Sequence, residues 1–501
     1  MTVYREYSRD RIGWFFGLTG AQVVIVVVTA GPILWAVSQQ AWLSAAMFIG
    51  IWGVITLLVI VPIWGRSATT WIFSATKFAV GKLTGWTSFR SAASTGASTK
   101  DPSVPDLPGP LQGIQVHDGP PSGAALTRVA VIQDHAAKTW AMTAAVAHPG
   151  LGFAGTAERA SQGAALSDLL DAVSKTELVD QVLFTVRTVP DDGAERTHWV
   201  EKNRRHDAPE LSRTVNQGMD NQHAGAAMRT EAFATFVCPE TWLSRHTRRG
   251  RDGIAARAEL MLEQAHEIQA LLIGGLQMSH VDWLTSPQLA LACRTGFAPA
   301  DRASVIDAQG AKADDPQVNA EVPWSLAGPS GADAAVRHYS HDAWSSVSAT
   351  IKLPLRGAMM GSLAPILTPS EPGERRSFVA CYPVMRQGAA NRSVANSEWA
   401  ADISGHLRNK AGVKERAKNR DEARTARGMD TKMARGNSIL RPYAVCTVTV
   451  PNTSNPASAG RRLDASIRRA GFAPLRLDLA QDLAFCATAV PLGIGLSRQG
   501  A

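Results

Sequence analysis

The chain has 501 residues, 45% hydrophobic and 19% charged, with a formal net charge of +8. Disordered polymers are poor in apolar residues and rich in charge, so that class is excluded. A many-span carrier is excluded as well, because the long apolar runs lie only near the N-terminus. The basic excess suits a membrane protein with cationic flanks and is a weak pointer to nucleic acid.

Residues 17–37 (GLTGAQVVIVVVTAGPILWAV) and 42–64 (WLSAAMFIGIWGVITLLVIVPIW) are two nearly uninterrupted apolar runs. Each is about 20 residues, the length that crosses a ~30 Å hydrocarbon layer as helix. The short link predicts a helical hairpin. Arg5, Arg9 and Arg11 precede it and Arg66, Lys77, Lys82 and Arg90 follow it, while its tip is uncharged. The positive-inside rule places both ends in the cytoplasm and the tip outside. Trp14, Trp35, Trp42 and Trp64 fall near the span ends, where indoles favour the interface. A cleaved signal peptide would have a shorter apolar region and no second span. Residues 71–80 (WIFSATKFAV) form a third apolar patch, too short to span; an interfacial segment and a first core helix both remain open.

Hairpin and flanks occupy 1–90. Residues 91–125, rich in Ser, Pro, Gly and Ala, are expected as a flexible linker. A first α+β cytoplasmic domain is expected over 126–307. Its strands are predicted at 126–133, 139–147, 181–188 and 231–238, the first two joined by a turn at 134–138. Helices are predicted after Ser167, over 209–222, and over 253–273 with Asp252 as cap. The inner face of that last helix is read as Ala256, Leu260, Ala265, Ile268 and Leu272. Residues 308–332 are turn-rich and read as a second linker. The domain over 333–501 follows, with strands at 346–353, 377–384, 443–450 and 473–479. Helices are expected after Asn396, over 460–470 and over 481–485. The βαβ order at this end predicts a ferredoxin-like arrangement. The fold class is thus an N-terminal transmembrane α-helical hairpin followed by cytoplasmic α+β domains, the C-terminal part ferredoxin-like.

Little chemistry is concentrated anywhere. No GxxxxGK[ST] phosphate cradle and no GxSxG nucleophile elbow occurs. Cys238, Cys293, Cys381, Cys446 and Cys486 are scattered without a CxxC pair and read as reduced core thiols. The best metal-like group is His338, His341 and Asp342; an ordinary polar segment is the stronger reading. Gln133-Asp134-His135 reads as a surface turn. Neither catalytic, cofactor-binding nor metal-ligating residues are therefore assigned, and the protein is read as a non-enzyme. The stretch 408–435 holds ten Lys and Arg against four Asp and Glu. A solvated face is its plain reading; acidic protein, lipid and nucleic acid stay open as counterparts.

The block PYAVCTVTVP (442–451), a helix with an Arg-rich face, GFAPLRLDL and QDLAFCATAVPLG (481–493) resembles the end of the N-terminal domain of the VirB-type (CagE/TrbE/VirB) ATPases of conjugation and type IV secretion. The N-terminal hairpin, preceded by YREYSRDRIGW (4–14), resembles the small PrgI- or VirB-type inner-membrane subunit of the same machines. Together they look like the motor-less membrane proteins found beside conjugation ATPases in actinobacteria. The resemblance implies a membrane-anchored scaffold of a secretion machine that docks a separate motor ATPase, with self-association possible. Partner contacts are expected at Lys414, Arg416, Lys418, Arg420, Leu483 and Leu492. The alternative is a type VII secretion core component with two spans and a cytoplasmic domain.

Overall fold

The computed structural model describes residues 3–4, 20–60, 62–63, 66–85, 87–97, 101–150, 152, 154–176, 178–191, 193–205, 207–223, 228–247, 253–352, 358–359, 361–384, 440 and 442–496. The stretch 408–435, the helix expected after Asn396, and Asp252 lie outside the described residues. The fold is mixed α/β, with one large antiparallel sheet and an apolar helix near the N-terminus.

Helices α1 (Gly20–Thr29), α2 (Gly31–Ser38), α3 (Trp42–Ile60) and α4 (Ala68–Leu83) open the chain. The first apolar run is divided at Ala30, just before Pro32, whose ring nitrogen has no N–H to continue the ladder. α3 is long and apolar enough to cross a membrane over Trp42–Val59. The indole N–H of Trp52 donates to Val26 O at 2.9 Å and ties α3 to α1.

Among the described residues, thirteen strands form the large sheet. They are β1 (Phe89–Arg90), β2 (Ile114–Ser122), β3 (Thr127–Asp134), β4 (Thr139–Ala147), β5 (Gln181–Pro190), β6 (Met228–Pro239) and β7 (His280–Trp283). After them come β8 (Gly331–Ala332), β9 (Tyr339–His341), β10 (Trp344–Lys352), β11 (Arg375–Pro383), β12 (Tyr443–Pro451) and β13 (Ala473–Arg476). The spatial order is β1-β8-β9-β10-β12-β11-β5-β6-β4-β3-β2, with β7 also on β4 and β13 also on β10.

That order contains an internal repeat. The helices between the strands are α5 (Thr156–Lys175), α6 (Ala194–Asn203), α7 (Glu210–His223), α8 (Glu240–His246), α9 (Ile254–Gly274), α10 (Ser286–Phe297) and α11 (Asp301–Asp314). Beyond these lie α12 (Ala364–Leu367), α13 (Pro456–Arg469) and α14 (Gln481–Ala489). Both β4-α5-β5-β6-α9-β7 and β10-α12-β11-β12-α13-β13 place their four strands in the spatial order fourth, first, third, second. In each, a hairpin precedes the first strand and shares its outer edge with the fourth. Thus β3 meets β4 at Thr139–Ala141 and β7 meets it at Ala144–Ala147, while β9 takes Trp344–Ser346 of β10 and β13 takes Ala349–Lys352. A helix, α10 or α14, follows each fourth strand. The halves join where β5 pairs antiparallel with β11, Thr185 opposite Val379.

Alternation along the strands explains the layers. Trp140, Met142, Ala144, Ala234 and Phe236 meet Leu169, Leu170 and Val173 of α5 and Met261, Ala265, Ile268 and Leu272 of α9. Val347, Phe378, Cys446, Val448 and Val450 meet Ile366 of α12 and Leu463 and Ile467 of α13 on the same face. Intervening residues such as Ala141, Leu183, Val379 and Val445 point the other way, under α10 and α14.

Several expectations are corrected. Residues 91–125 are not wholly a tether: Leu107, Leu111 and Ile114 are buried and β2 is an edge strand. The Pro120-Pro121 pair is accommodated by an irregularity between Asp118 and Pro121, on the edge where a missing N–H matters least. The expected linker at 308–332 carries the end of α11 and all of β8. The two stretches around it share one sheet. α5 starts at Thr156, ahead of Ser167. The N-terminal inner face of α9 is Ala258 and Met261.

Candidate functional site

The most densely organised polar region is the seam under α10 and α14, where the two halves meet. In each helix a glutamine lies five residues beyond the end of the fourth strand and opens the same spacing: Gln288, Cys293 and Thr295 in α10; Gln481, Cys486 and Thr488 in α14. Thr295 and Thr488 each donate back to a carbonyl four residues earlier, Leu291 O at 2.9 Å and Ala484 O at 3.0 Å. Phe297 and Phe485 pack with centroids 5.3 Å apart. Gly296 is required here, because a Cβ would lie 2.6 Å from Ala489 O.

The sheet surface below is lined by hydroxyls. Thr143 pairs with Thr235 at 2.9 Å, and the matching residues of the second half, Ser348 and Thr447, pair at 2.8 Å. Thr143 donates to Pro491 O at 2.8 Å, and the Thr447 hydroxyl is hydrogen-bonded to that of Thr488 at 2.7 Å. Gly493 (φ +76°) lets the C-terminal tail cross the first half; a Cβ would sit 2.9 Å from that of Ala141.

Two fully buried arginines fasten the helix ends. Arg187 on β5 donates to Ala292 O and Ala489 O, each at 2.8 Å, and pairs with Glu231 at 2.6 Å. Arg375 on β11 donates to Thr295 O and Gly296 O, each at 2.6 Å. Thr295, Gly296 and Ala489 lie in the last turns of their helices, where carbonyls have no intrahelical partner, and these guanidinium groups supply one. Burial, and then the nearby Arg187, pushes Arg375 down from its ordinary value. On the opposite face Glu374 accepts from Arg462 at 2.7 Å and Arg376 at 3.0 Å. Burial works to raise that carboxyl, but the Ser370 N–H and the arginines hold it below its ordinary value.

The seam is a fastening, not a binding cleft. The His338–Asp342 group is split by strand β9: His338 is exposed, while His341 is buried and its Nε2 lies 2.9 Å from Ser346 Oγ. Asp342 Oδ1 accepts from Ser330 N at 2.6 Å. Burial, then the Arg375 charge, holds the His341 imidazole well below its usual range. Among the described residues no three His, Cys, Asp or Glu side chains are grouped to hold a metal ion. Two apolar spaces, one bordered by Phe236, Met261 and Trp283 and the other by Leu34, Ile49 and Trp52, gather no carboxylates, imidazoles or cations.

The expected partner-binding residues divide into two sets. Lys414, Arg416, Lys418 and Arg420 lie outside the described residues. Leu483 and Leu492 are corrected: both are buried in the core that contains Phe485, so neither offers a docking surface. The nearly continuous apolar run in 481–493 is core, and the sheet supplies its cover. Asp134 closes the expected β3–β4 turn, accepting from Ala136 N and Ala137 N at 3.0 Å. All five cysteines are buried, and none is in a disulfide. The buried arginines were not singled out from the sequence; their signal is an Arg at an inward position of an apolar strand, as in QVLFTVRTVP.

Exposed large apolar residues are concentrated in the N-terminal helices. Trp42, Leu43, Met47, Val54 and Leu57 of α3 and Leu34 and Trp35 of α2 all face outward. No family model matches the chain, and no curated protein matches it.

Proposed function

We propose that the protein is a non-enzymatic, membrane-anchored scaffold of a conjugative or type IV secretion-like apparatus, which recruits a separate motor ATPase at the cytoplasmic membrane. The observation that carries the reading is the outward-facing apolar surface of α3, joined to a large α/β body. α3 buries only a narrow side, at Ala45 and Val59, and a helix whose apolar surface is otherwise exposed is stable in lipid and a liability in water. α1 and α2 form the first arm of a two-span hairpin and α3 the second, with both ends cytoplasmic. The fourth-first-third-second strand order supports a ferredoxin-like reading of the C-terminal half and extends it to the first. With Leu483 and Leu492 in the core, recruitment falls to the basic stretch 408–435, whose main effect is on association rate.

Two experiments test this. A cysteine at Ser38, exposed at the hairpin tip, should label with an impermeant reagent in intact cells, and one at Ala97, exposed beyond the hairpin, should not. The reverse pattern overturns the topology. Full-length protein should co-purify with a VirB-type motor ATPase of its own cell, more strongly at low salt, and should itself hydrolyse no nucleotide. Absence of co-purification at every salt concentration overturns the scaffold role.

A further inference from the structure

The repeat sets α9 and α13 in equivalent positions on one face of the sheet, and their outward faces carry opposite charge. On α9, Glu259, Glu263 and Glu267 are exposed at intervals of four. On α13, Arg461, Arg468 and Arg469 are exposed. Each stripe spans nine residues, about 12 Å along the helix axis. Neighbours reinforce the contrast: α5 and α9 together hold six acidic residues against three basic, and α13 holds four arginines against Asp464. Arg476 pairs with Asp464 at 2.8 Å, and Arg462 is engaged by Glu374 at 2.7 Å. The arginines that face outward are therefore not those that hold the fold.

From this we infer that the helical face is an interface between two copies of this chain, α9 of one copy lying against α13 of the other. A symmetric pair about an axis in the plane of the sheet makes the contact twice, so one self-complementary face satisfies both copies. The other face-to-face arrangement sets acidic stripe on acidic stripe and is opposed by repulsion. The interface does not depend on the secretion role, and its test separates the two.

Two differently tagged full-length copies are co-expressed, extracted in detergent and purified through one tag. Wild-type copies should recover each other, less well as salt rises and screens the stripes. Replacing Glu259, Glu263 and Glu267 by Lys in both copies should lower recovery about tenfold, as should replacing Arg461, Arg468 and Arg469 by Glu in both. Pairing the acid-to-Lys copy with the Arg-to-Glu copy should restore it, because each contact again joins opposite charges. Restoration shows that both variants fold and that the stripes meet. Recovery unchanged by either reversal overturns the inference and leaves pairing to the apolar helices. A wild-type chain that does not recover its partner overturns it too, as does loss without restoration.

Discussion

In the first half of the sheet, the strands are backed by helices of 20 and 21 residues, α5 and α9. In the second, the same positions hold the four-residue α12 and the 14-residue α13. Strand order, shared edges and the paired hydroxyls Thr143–Thr235 and Ser348–Thr447 are nonetheless repeated. What is common to both halves is the ladder and the surface under α10 and α14. What differs is the layer facing away from the seam. A backbone ladder and a close helix crossing tolerate few alternatives, whereas an outer layer needs only an apolar underside.

The sharpest way to break the comparison is at the seam itself. Phe485 is fully buried against Phe297, His341 and Tyr339. Phe485→Ala should cost about 3–5 kcal/mol, read as a fall in the midpoint of chemical unfolding. Phe297→Ala, on the equivalent helix, should cost a similar amount. If one of the pair costs less than about 1 kcal/mol, the halves do not share one core.

Gln288 and Gln481 hold the same place in the repeat and do different work. Gln288 is exposed and completes a capping box, its side chain accepting from Thr285 N at 2.9 Å. Gln481 is fully buried and bonds both backbone groups of Ser348, accepting from N at 2.7 Å and donating to O at 3.2 Å. It fills the gap on β10 between β9 and β13 as a short piece of strand would. Gln481→Leu leaves the buried Ser348 N–H unpaired and its carbonyl with only the longer bond from Leu477 N at 3.4 Å, and should cost about 2–3 kcal/mol. Gln288→Leu should cost under about 1 kcal/mol, since water reaches that helix end. Equal losses in thermal unfolding would mean that the two glutamines are interchangeable.

Strands with a one-sided pattern were legible in the sequence: 139–147 and 443–450 coincide with β4 and β12 to within a residue. The short strands β7 and β9 were not, because three or four residues carry no period, and their ladders are set by the long strand beside them. β2 was hidden by its two prolines. The repeat was hidden because its equal parts are split by unequal ones: α6 and α7 between β5 and β6 have a 59-residue counterpart between β11 and β12, residues 384–442. The Gln-x4-Cys-x-Thr spacing was visible and went unused. For the site, the residue types at the seam are those of any core, and only the fold shows that Leu483 and Leu492 face inward.

The hairpin ends offer the finest comparison. β3 ends at Asp134 and β9 at His341, each opposite the first residue of the next strand. Asp134 caps its turn, whereas His341 lies inside, near Arg375 and the Tyr339 ring. In the folded chain burial keeps the imidazole neutral far below its usual titration; unfolded, it takes up a proton near pH 6.5. Below that pH the unfolded state binds a proton that the folded state refuses. Stability is therefore full above pH 6.5 and falls as the solution is acidified, approaching ~1.4 kcal/mol per pH unit, or about 2 kcal/mol between pH 7 and 5. Glu374 acts in a lower window: its folded value is held below 4.5, so its contribution is present above that pH and is lost only on further acidification. His341→Phe removes the titrating group while keeping a ring beside Phe485, and it gives up the contact with Ser346 Oγ. The variant should start less stable at pH 7 and show a flatter profile down to pH 5, read as unfolding temperature against pH. A profile parallel to that of the wild type would show that His341 is protonated without cost, and that the second hairpin tolerates a charge as the first one does.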